Sequence, residues 1–177
     1  QHPHNIELLL LNSEILLCEG LYSDAEKILK KVDQLYPKNE DVLLQRASIF
    51  SKQKNHTKAI ELLESALEIT EDPPEIWSLI GMEYLFLEEY VKAKEFFNNC
   101  VTENPMDYQS LYNLLHCHEQ LDENIDAINA LNVIIESNPY SEIAWHQLGK
   151  IYIKLNKFKE ALSAFEFAII SDDTFTG

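Results

Sequence analysis

Three neighbouring side chains, His116, Cys117 and His118, are the residues of this sequence best suited to metal chemistry. A further imidazole, His146, lies in a later helical segment. A protein zinc site usually needs three or four such ligands. Consecutive residues of a helix point about 100° apart, so the three neighbours cannot converge on one ion. His116 and His146 alone supply too few ligands, and we therefore expect no metal site.

Signatures of catalysis and cofactor binding are missing from the sequence. It has no nucleophile elbow, no phosphate-binding loop and no HExxH zinc motif. Its four glycines stand apart, at positions 20, 81, 149 and 177, which excludes a glycine-rich loop. We expect no catalytic residue and no cofactor, although a catalytic domain outside this segment stays an open alternative.

Acidic side chains dominate the charge. The sequence has 30 Asp and Glu against 14 Lys and Arg, which gives a formal net charge of −16. Such a surface repels phosphate groups, which argues against nucleic acid and anionic membranes as partners. Between Lys94 and Lys150 there are nine carboxylates and no Lys or Arg. This stretch indicates a basic or polar partner segment. In the alternative interpretation its acids, among them Asp122, Glu123 and Asp126, merely solubilise exposed turns.

Amphipathic helices must position these groups. In KAIELLESALEI, residues 58–69, apolar side chains recur three and four residues apart, which is the spacing of one helix face. Prolines separate such segments, and no convincing alternating strand pattern occurs. An alanine recurs every 34 residues, at Ala25, Ala59, Ala93, Ala127 and Ala161. Five copies of this length fit without insertion, at 6–39, 40–73, 74–107, 108–141 and 142–175.

Each copy is long enough for two helices joined by a short turn. Small residues such as Gly81 and Gly149 stand where we expect two helix axes to come closest. Bulky residues such as Trp77 and Trp145 are expected to fill the gaps between stacked helices. A helix pair cannot bury its apolar faces alone, so each pair must stack on the next.

The spacing Trp-x2-Leu/Ile-Gly-x2-Tyr, followed by Ala-x3-Phe, resembles the tetratricopeptide repeat. The third copy carries it at Trp77, Ile80, Gly81, Tyr84, Ala93, Phe97 and Pro105, and the fifth at Trp145, Leu148, Gly149, Tyr152, Ala161, Phe165 and Ala168. The resemblance implies an all-α fold, a right-handed superhelix (α-solenoid) of five antiparallel helix pairs, in one domain over residues 1–177. The fourth copy departs from the pattern with Leu115 in the glycine column, where we expect different packing.

The chain begins QHPHN without an initiator Met, and we expect it to be a fragment of a longer protein. Its three cysteines, at positions 18, 100 and 117, indicate reduced thiols rather than a disulfide framework. No apolar run approaches the roughly 20 residues that a membrane helix needs. We therefore expect a cytoplasmic protein without membrane insertion, while a signal or anchor upstream stays open.

The resemblance implies that the first helix of each pair lines a concave groove that receives a partner peptide. Candidate groove residues are the positions on these helices outside the core columns. They are Glu7, Leu10, Glu14, Asp41, Leu44, Ser48, Glu75, Ser78, Met82, Gln109, Tyr112, His116, Glu119, His146 and Lys150. No basic cluster occurs among them, which argues against a clamp for acidic peptide tails. We expect a non-enzymatic interaction scaffold whose protein or peptide partner is basic, or polar and apolar.

Both ends of the repeat array are apolar. The last helical segment carries Phe158, Leu162, Phe165 and Ile169 where a next repeat would dock, and IELLLLNSEILL near the start is apolar on more than one face. Exposed patches of this kind seldom stay free. Either more repeats flank the segment, or chains stack end to end. A structural spacer that self-associates through its ends is therefore the alternative function.

Overall fold

The computed structural model describes residues 5–173, and these form ten α-helices without a strand. The helices are α1 Ile6–Cys18, α2 Tyr22–Leu35, α3 Glu40–Lys52, α4 His56–Leu67, α5 Pro73–Phe86, α6 Tyr90–Glu103, α7 Tyr108–Gln120, α8 Asn124–Ser137, α9 Glu142–Lys154 and α10 Phe158–Asp173. The predicted all-α fold of helix pairs is confirmed. The last two residues of the fifth predicted repeat, 174–175, lie outside the described residues.

The chain divides into two compact units, Gln1–Glu89 and Tyr90–Gly177. In the first unit, α1 packs on α2, α2 on α3, α3 on α4 and α4 on α5. In the second unit, α6 packs on α7, α7 on α8, α8 on α9 and α9 on α10. Within each unit, each helix thus contacts its neighbours in sequence, as expected of stacked repeats. The single domain over residues 1–177 stays a prediction.

The alanine column forms part of the core in both units. All five alanines are at most 4% exposed: Ala25, Ala59, Ala93, Ala127 and Ala161. Gly149 shows why small residues stand in the facing column, since a Cβ placed there would lie 2.7 Å from Cε1 of Phe165. Trp145 packs between the helices of its own pair, where its ring stacks on Phe167 with centroids 4.7 Å apart. Its Nε1 donates to the Pro139 carbonyl at 2.8 Å.

The turns inside the repeats share a backbone conformation that the sequence analysis did not predict. One residue after each first helix has a positive φ, between 55° and 76°: Gly20, Lys54, Glu88, Asp122 and Asn156. The next residue then donates its N–H back across the turn, for example from Asn55 to the Phe50 carbonyl at 2.8 Å. This arrangement satisfies carbonyls at the helix end, and it favours glycine because L-residues are strained at positive φ.

Candidate functional site

A cleft of about 470 Å³ opens in the second unit between α7, the start of α8, and α9. Four of the predicted groove residues line it: Tyr112, His116, Glu119 and Lys150. The other lining residues are Leu115, His118, Asn124, Ala127, Gln147, Ile151, Ile153 and Lys154. The structure therefore brings together part of the predicted set within one unit.

Helical spacing explains why these side chains share one wall. Tyr112, His116 and Glu119 lie four and three residues apart on α7, so they form one stripe along that helix. On α9, Gln147 and Lys154 lie three residues before and four residues after Lys150. The sequence analysis named Lys150 alone of these three. The same spacing from Lys150 was the signal that could have found the other two.

A buried imidazole forms one wall of the cleft. His118 is 6% exposed, and its Nδ1 lies 2.9 Å from Glu123 Oε2. Lys94 Nζ donates to both oxygens of the same carboxylate, at 2.8 and 2.7 Å. The hydrogen bond from Lys94 holds the pKa of Glu123 below its usual value, with a smaller contribution from His118. The carboxylate is therefore ionised and neutralised within the unit.

A second paired carboxylate stands at the cleft's end. Asp122 accepts a hydrogen bond from Asn124 at 2.9 Å and lies 3.2 Å from Lys154 Nζ. The hydrogen bond from Asn124, followed by that from Lys154, lowers the pKa of Asp122. Two of the nine carboxylates between residues 95 and 149 are thus paired inside the unit, together with the N-cap Asp107 that accepts from the Ser110 N–H. The cleft lining itself carries one carboxylate, Glu119, and two lysines.

The predicted histidines pack against aromatic rings. His116 meets the edge of Tyr90 with ring centroids 6.0 Å apart. His146 lies on α9 with its ring 5.7 Å from that of Phe165, and it is absent from the cleft lining, as is Gln109. Over residues 5–171, no three His, Cys, Asp or Glu side chains are grouped closely enough to hold a metal ion.

The predicted groove residues of the first unit lie on α1, α3 and α5. On α1, Glu7 and Glu14 are exposed and Leu10 is half-buried. Asp41 and Glu75 are exposed, and four others are half-buried: Leu44, Ser48, Ser78 and Met82. Arg46 of α3 does not offset these acids, because it pairs with Glu26 and Asp33 on α2. Its guanidinium lies 3.3 Å from Glu26 and 3.0 Å from Asp33. Burial opposes its charge, but the hydrogen bonds to both acids prevail and raise the pKa of Arg46.

The first unit also contains a buried carboxylate that the sequence analysis missed. Glu83 of α5 is 7% exposed, and its Oε2 lies 2.7 Å from Nδ1 of His56 on α4. The His56 ring stacks on Phe86 with centroids 5.0 Å apart. The signal that could have found it is its 34-residue column, which holds Ile49, Cys117 and Ile151 in other copies.

The thiols in the second unit, Cys100 and Cys117, are buried, and neither forms a disulfide. Cys117 is fully buried, and burial raises its pKa to about 11. Burial likewise raises the pKa of Cys100. A thiol is nucleophilic as its thiolate, so neither cysteine is suited to nucleophilic catalysis at neutral pH. Both act as small core residues.

Comparison with known proteins finds family models and curated relatives that match this chain. Family models described as "Tetratricopeptide repeat" match residues 16–82 and residues 74–105 and 143–169. Two curated relatives are the cell division cycle protein 27 homolog of Caenorhabditis elegans, 30% identical over 90 residues, and the anaphase-promoting complex subunit 3 of Schizosaccharomyces pombe, 26% identical over 127 residues. The matches cover 51% and 72% of this chain, but the chain spans just 11% and 19% of those relatives' lengths.

Solved structures show the same fold. A crystal structure of MamA is 20% identical with a TM-score of 0.70, covering 93% of this chain and 96% of that one. YrrB, described as a TPR protein with an unusual peptide-binding site, is 16% identical with a TM-score of 0.66, covering 92% of this chain and 84% of that one. Within residues 5–173, none of the helices has the length and apolar character to cross a membrane.

Proposed function

The chain belongs to the tetratricopeptide repeat family, and from this premise we propose that it is a protein-interaction scaffold whose cleft in the second unit binds an extended segment of a partner protein. One observation carries the proposal. Tyr112, His116, Glu119 and Lys150, chosen as groove residues from their positions on first helices, line a common cleft of about 470 Å³. The proposed role is binding in the cytoplasm, without catalysis.

The lining suggests what the segment contains. Tyr112, Leu115 and Ile151 offer apolar surface for one anchoring side chain. Glu119 and Lys150 add opposite charges, which suit polar groups on either side of that anchor. The best ligand is therefore an apolar residue in a polar segment.

Charge outside the cleft favours basic flanking residues. The chain carries a formal charge of −16, and the first helices of the first unit expose Asp41 and Glu75. A field of this sign steers cationic segments toward the surface and raises their association rate. We therefore propose that the acidic surface predicted from the sequence makes the cleft prefer segments with basic flanking residues.

The descriptions of two similar proteins support a binding role. One is called a subunit of the anaphase-promoting complex, and YrrB is described as having a peptide-binding site. Both descriptions belong to those proteins. For this chain they favour partner binding over catalysis.

A binding assay with a matched control tests the cleft. The probe is a synthetic library of short peptides that carry one central Leu or Phe and basic, neutral or acidic flanks. Tyr112→Ala should weaken binding at least about tenfold, because exposed aromatic residues often dominate peptide affinity. Tyr140→Ala is the control, because Tyr140 is 60% exposed in the turn before α9 and outside the cleft. Equal losses in both variants, or none, would rule out this cleft.

Salt separates the charge preference from the cleft itself. Basic-flanked peptides should bind more tightly than acidic ones at low salt, and the difference should shrink at raised salt because exposed charges are screened. Equal, salt-insensitive binding of both pools would remove the acidic-groove proposal, and it would leave the apolar anchor in place.

Self-association through the ends is the second proposed function. The observation that favours it is the exposure of large apolar side chains on α1 and α10, among them Leu8 at 62% and Phe158 at 65%. A sedimentation measurement of mass against protein concentration tests it. A constant monomer mass at every concentration would exclude it.

A further inference from the structure

The outward side of α1 repeats a surface that is buried everywhere else along the chain. Leu8 stands one to four repeats before Val42, Ile76, Ser110 and Ala144. Those four residues are at most 1% exposed, whereas Leu8 is 62% exposed. Each later first helix that carries this position packs on the preceding second helix, as α3 packs on α2 and α9 on α8. Among the described residues no helix precedes α1, so its copy of the surface is open.

The outward side of α10 repeats the opposite half of the same interface. Leu162 stands three repeats after Ile60 and one repeat after Ile128. Ile60 lies on α4, on which α5 packs, and Ile128 lies on α8, on which α9 packs. They are 6% and 9% exposed, whereas Leu162 is 61% exposed. Ile169 corresponds to Val101, which is 7% exposed, and Ile169 is 64% exposed. α1 and α10 thus carry the two complementary halves of the contact that joins successive repeats.

The side chains that meet across this contact show how the two ends would pair. Inside the first unit, His56 of α4 pairs with Glu83 of α5 at 2.7 Å. The residue three repeats after His56 is Phe158, and the residue two repeats before Glu83 is Ile15. An ionisable pair inside the chain therefore corresponds to an apolar pair at its ends, where Phe158 is 65% and Ile15 51% exposed.

A second internal pair changes in the same matched way. Lys94 of α6 binds Glu123, which precedes α8, at 2.7 Å. The residue two repeats after Lys94 is Leu162, and the residue three repeats before Glu123 is Leu21, 45% exposed. Both members of each pair become apolar together, which keeps the two surfaces complementary. A face that merely met solvent would gain nothing from this match.

A third set of ion pairs between successive repeats, that of Arg46, leaves no unpaired charge on α1 in this comparison. Arg46 binds Glu26 and Asp33 of α2. One repeat before Arg46 stands the neutral Asn12, and the residues that correspond to Glu26 and Asp33 on α10 are Leu162 and Ile169. No arginine would therefore be buried without its carboxylates, which would be costly.

We propose that α10 of one copy of this chain docks on α1 and the following turn of a second copy, in the register that joins successive repeats. The inference rests on the self-association proposed as the second function and specifies its geometry: Phe158 meets Ile15, and Leu162 meets Leu21. The occupant is a second copy because one chain carries both halves of the contact. Such a contact joins unlike surfaces, so it does not stop at a dimer unless a ring closes.

Sedimentation of the full chain tests the association first. The mass should rise with protein concentration beyond that of a dimer. Raised salt should strengthen the association, because the contact is apolar and each copy carries a formal charge of −16 that repels the next. Peptide binding to an acidic surface responds to salt in the opposite direction, so the two proposed functions fail independently. A monomer at all concentrations and salts overturns both the self-association and its register.

A charge pair tests the register. Leu162→Lys alone, or Leu21→Glu alone, should weaken association at least about tenfold, because a charge would be buried without a partner. Mixing the two variants, or combining both changes in one chain, recreates the Lys94–Glu123 arrangement at the end and should restore the mass distribution. Both sites are exposed in the single chain, so thermal melting should show that each variant stays folded.

The outcomes separate the register from self-association in general. Loss in both single variants with recovery in the mixture supports the proposed contact. Loss without recovery overturns the register and leaves self-association through another geometry, such as two α10 helices facing each other. Single variants that associate like the unmodified chain overturn the contact outright.

Discussion

Each unit of the molecule pairs a histidine with a glutamate, and the two pairs differ in what surrounds them. In the first unit, Glu83 is 7% exposed and meets His56 between α4 and α5. In the second unit, the side chain of Glu123 is 29% exposed and binds both His118 and Lys94. The same two residue types therefore stand in different environments within one fold.

The difference teaches that a repeat column fixes position without fixing chemistry. The column of Glu83 holds Ile15, Ile49, Cys117 and Ile151 in the other repeats, so it is otherwise a packing column. A buried carboxylate there depends on its single histidine. Glu123 keeps a lysine when its histidine is removed, because it lies at a helix start that Lys94 can reach. We expect the first pair to matter for stability and the second to shape the cleft.

Replacing the two histidines should separate the pairs most strongly. His56→Phe leaves the Glu83 carboxylate buried without the imidazole that pairs with it, which should lower the free energy of unfolding by about 1–3 kcal/mol. His118→Phe should cost less than about 1 kcal/mol, because Glu123 keeps Lys94 and remains partly exposed. Urea denaturation of both variants measures the difference.

A double variant provides the control for this prediction. His56→Phe combined with Glu83→Ile reproduces the types of Phe158 and Ile15 and removes the stranded carboxylate. It should recover most of the free energy that His56→Phe alone loses. Equal losses in the two histidine variants, or no recovery in the double variant, would contradict the assigned roles.

The positive-φ residues in the turns of the two units should differ less in their effect on the free energy of unfolding. Lys54 has φ +61° and is exposed, so Lys54→Gly should raise the free energy of unfolding by about 1 kcal/mol. Gly20→Ala should lower it by about the same amount, because Gly20 has φ +76° and open space around it. In the second unit, Asp122→Gly should gain less than Lys54→Gly, since it also removes the contact with Lys154. Thermal melting that ranks these variants otherwise would refute this account.

The smallest expected effect is the loss of unfolding free energy in acid that depends on Glu123. The hydrogen bond from Lys94 lowers the folded-state pKa of Glu123, so the pair adds stability above the ordinary carboxyl range. That contribution is lost as pH falls through the folded pKa. Urea unfolding between pH 7 and pH 3 should therefore show a slightly larger acid loss for the unmodified chain than for Glu123→Gln. Parallel pH profiles would mean that Lys94 does not stabilise the carboxylate.

Part of the candidate site could be predicted from spacing alone. Tyr112, His116 and Glu119 follow helical periodicity on α7, and their placement on a first helix pointed to a common surface. His146 satisfied the same reasoning, but its ring packs on Phe165. Spacing along one helix specifies which direction a side chain takes. It does not specify which neighbouring ring lies there, because that ring belongs to another helix.

The sequence by itself determined the helices, the 34-residue period and the buried alanine column, because these depend on local periodicity and on small residues repeated at one position. Tertiary structure alone decided that Glu83 meets His56 and that Lys94 and Lys154 neutralise Glu123 and Asp122. These features depend on which side chains meet across separate helices. Contacts of that kind follow from packing in three dimensions rather than from the pattern along one helix.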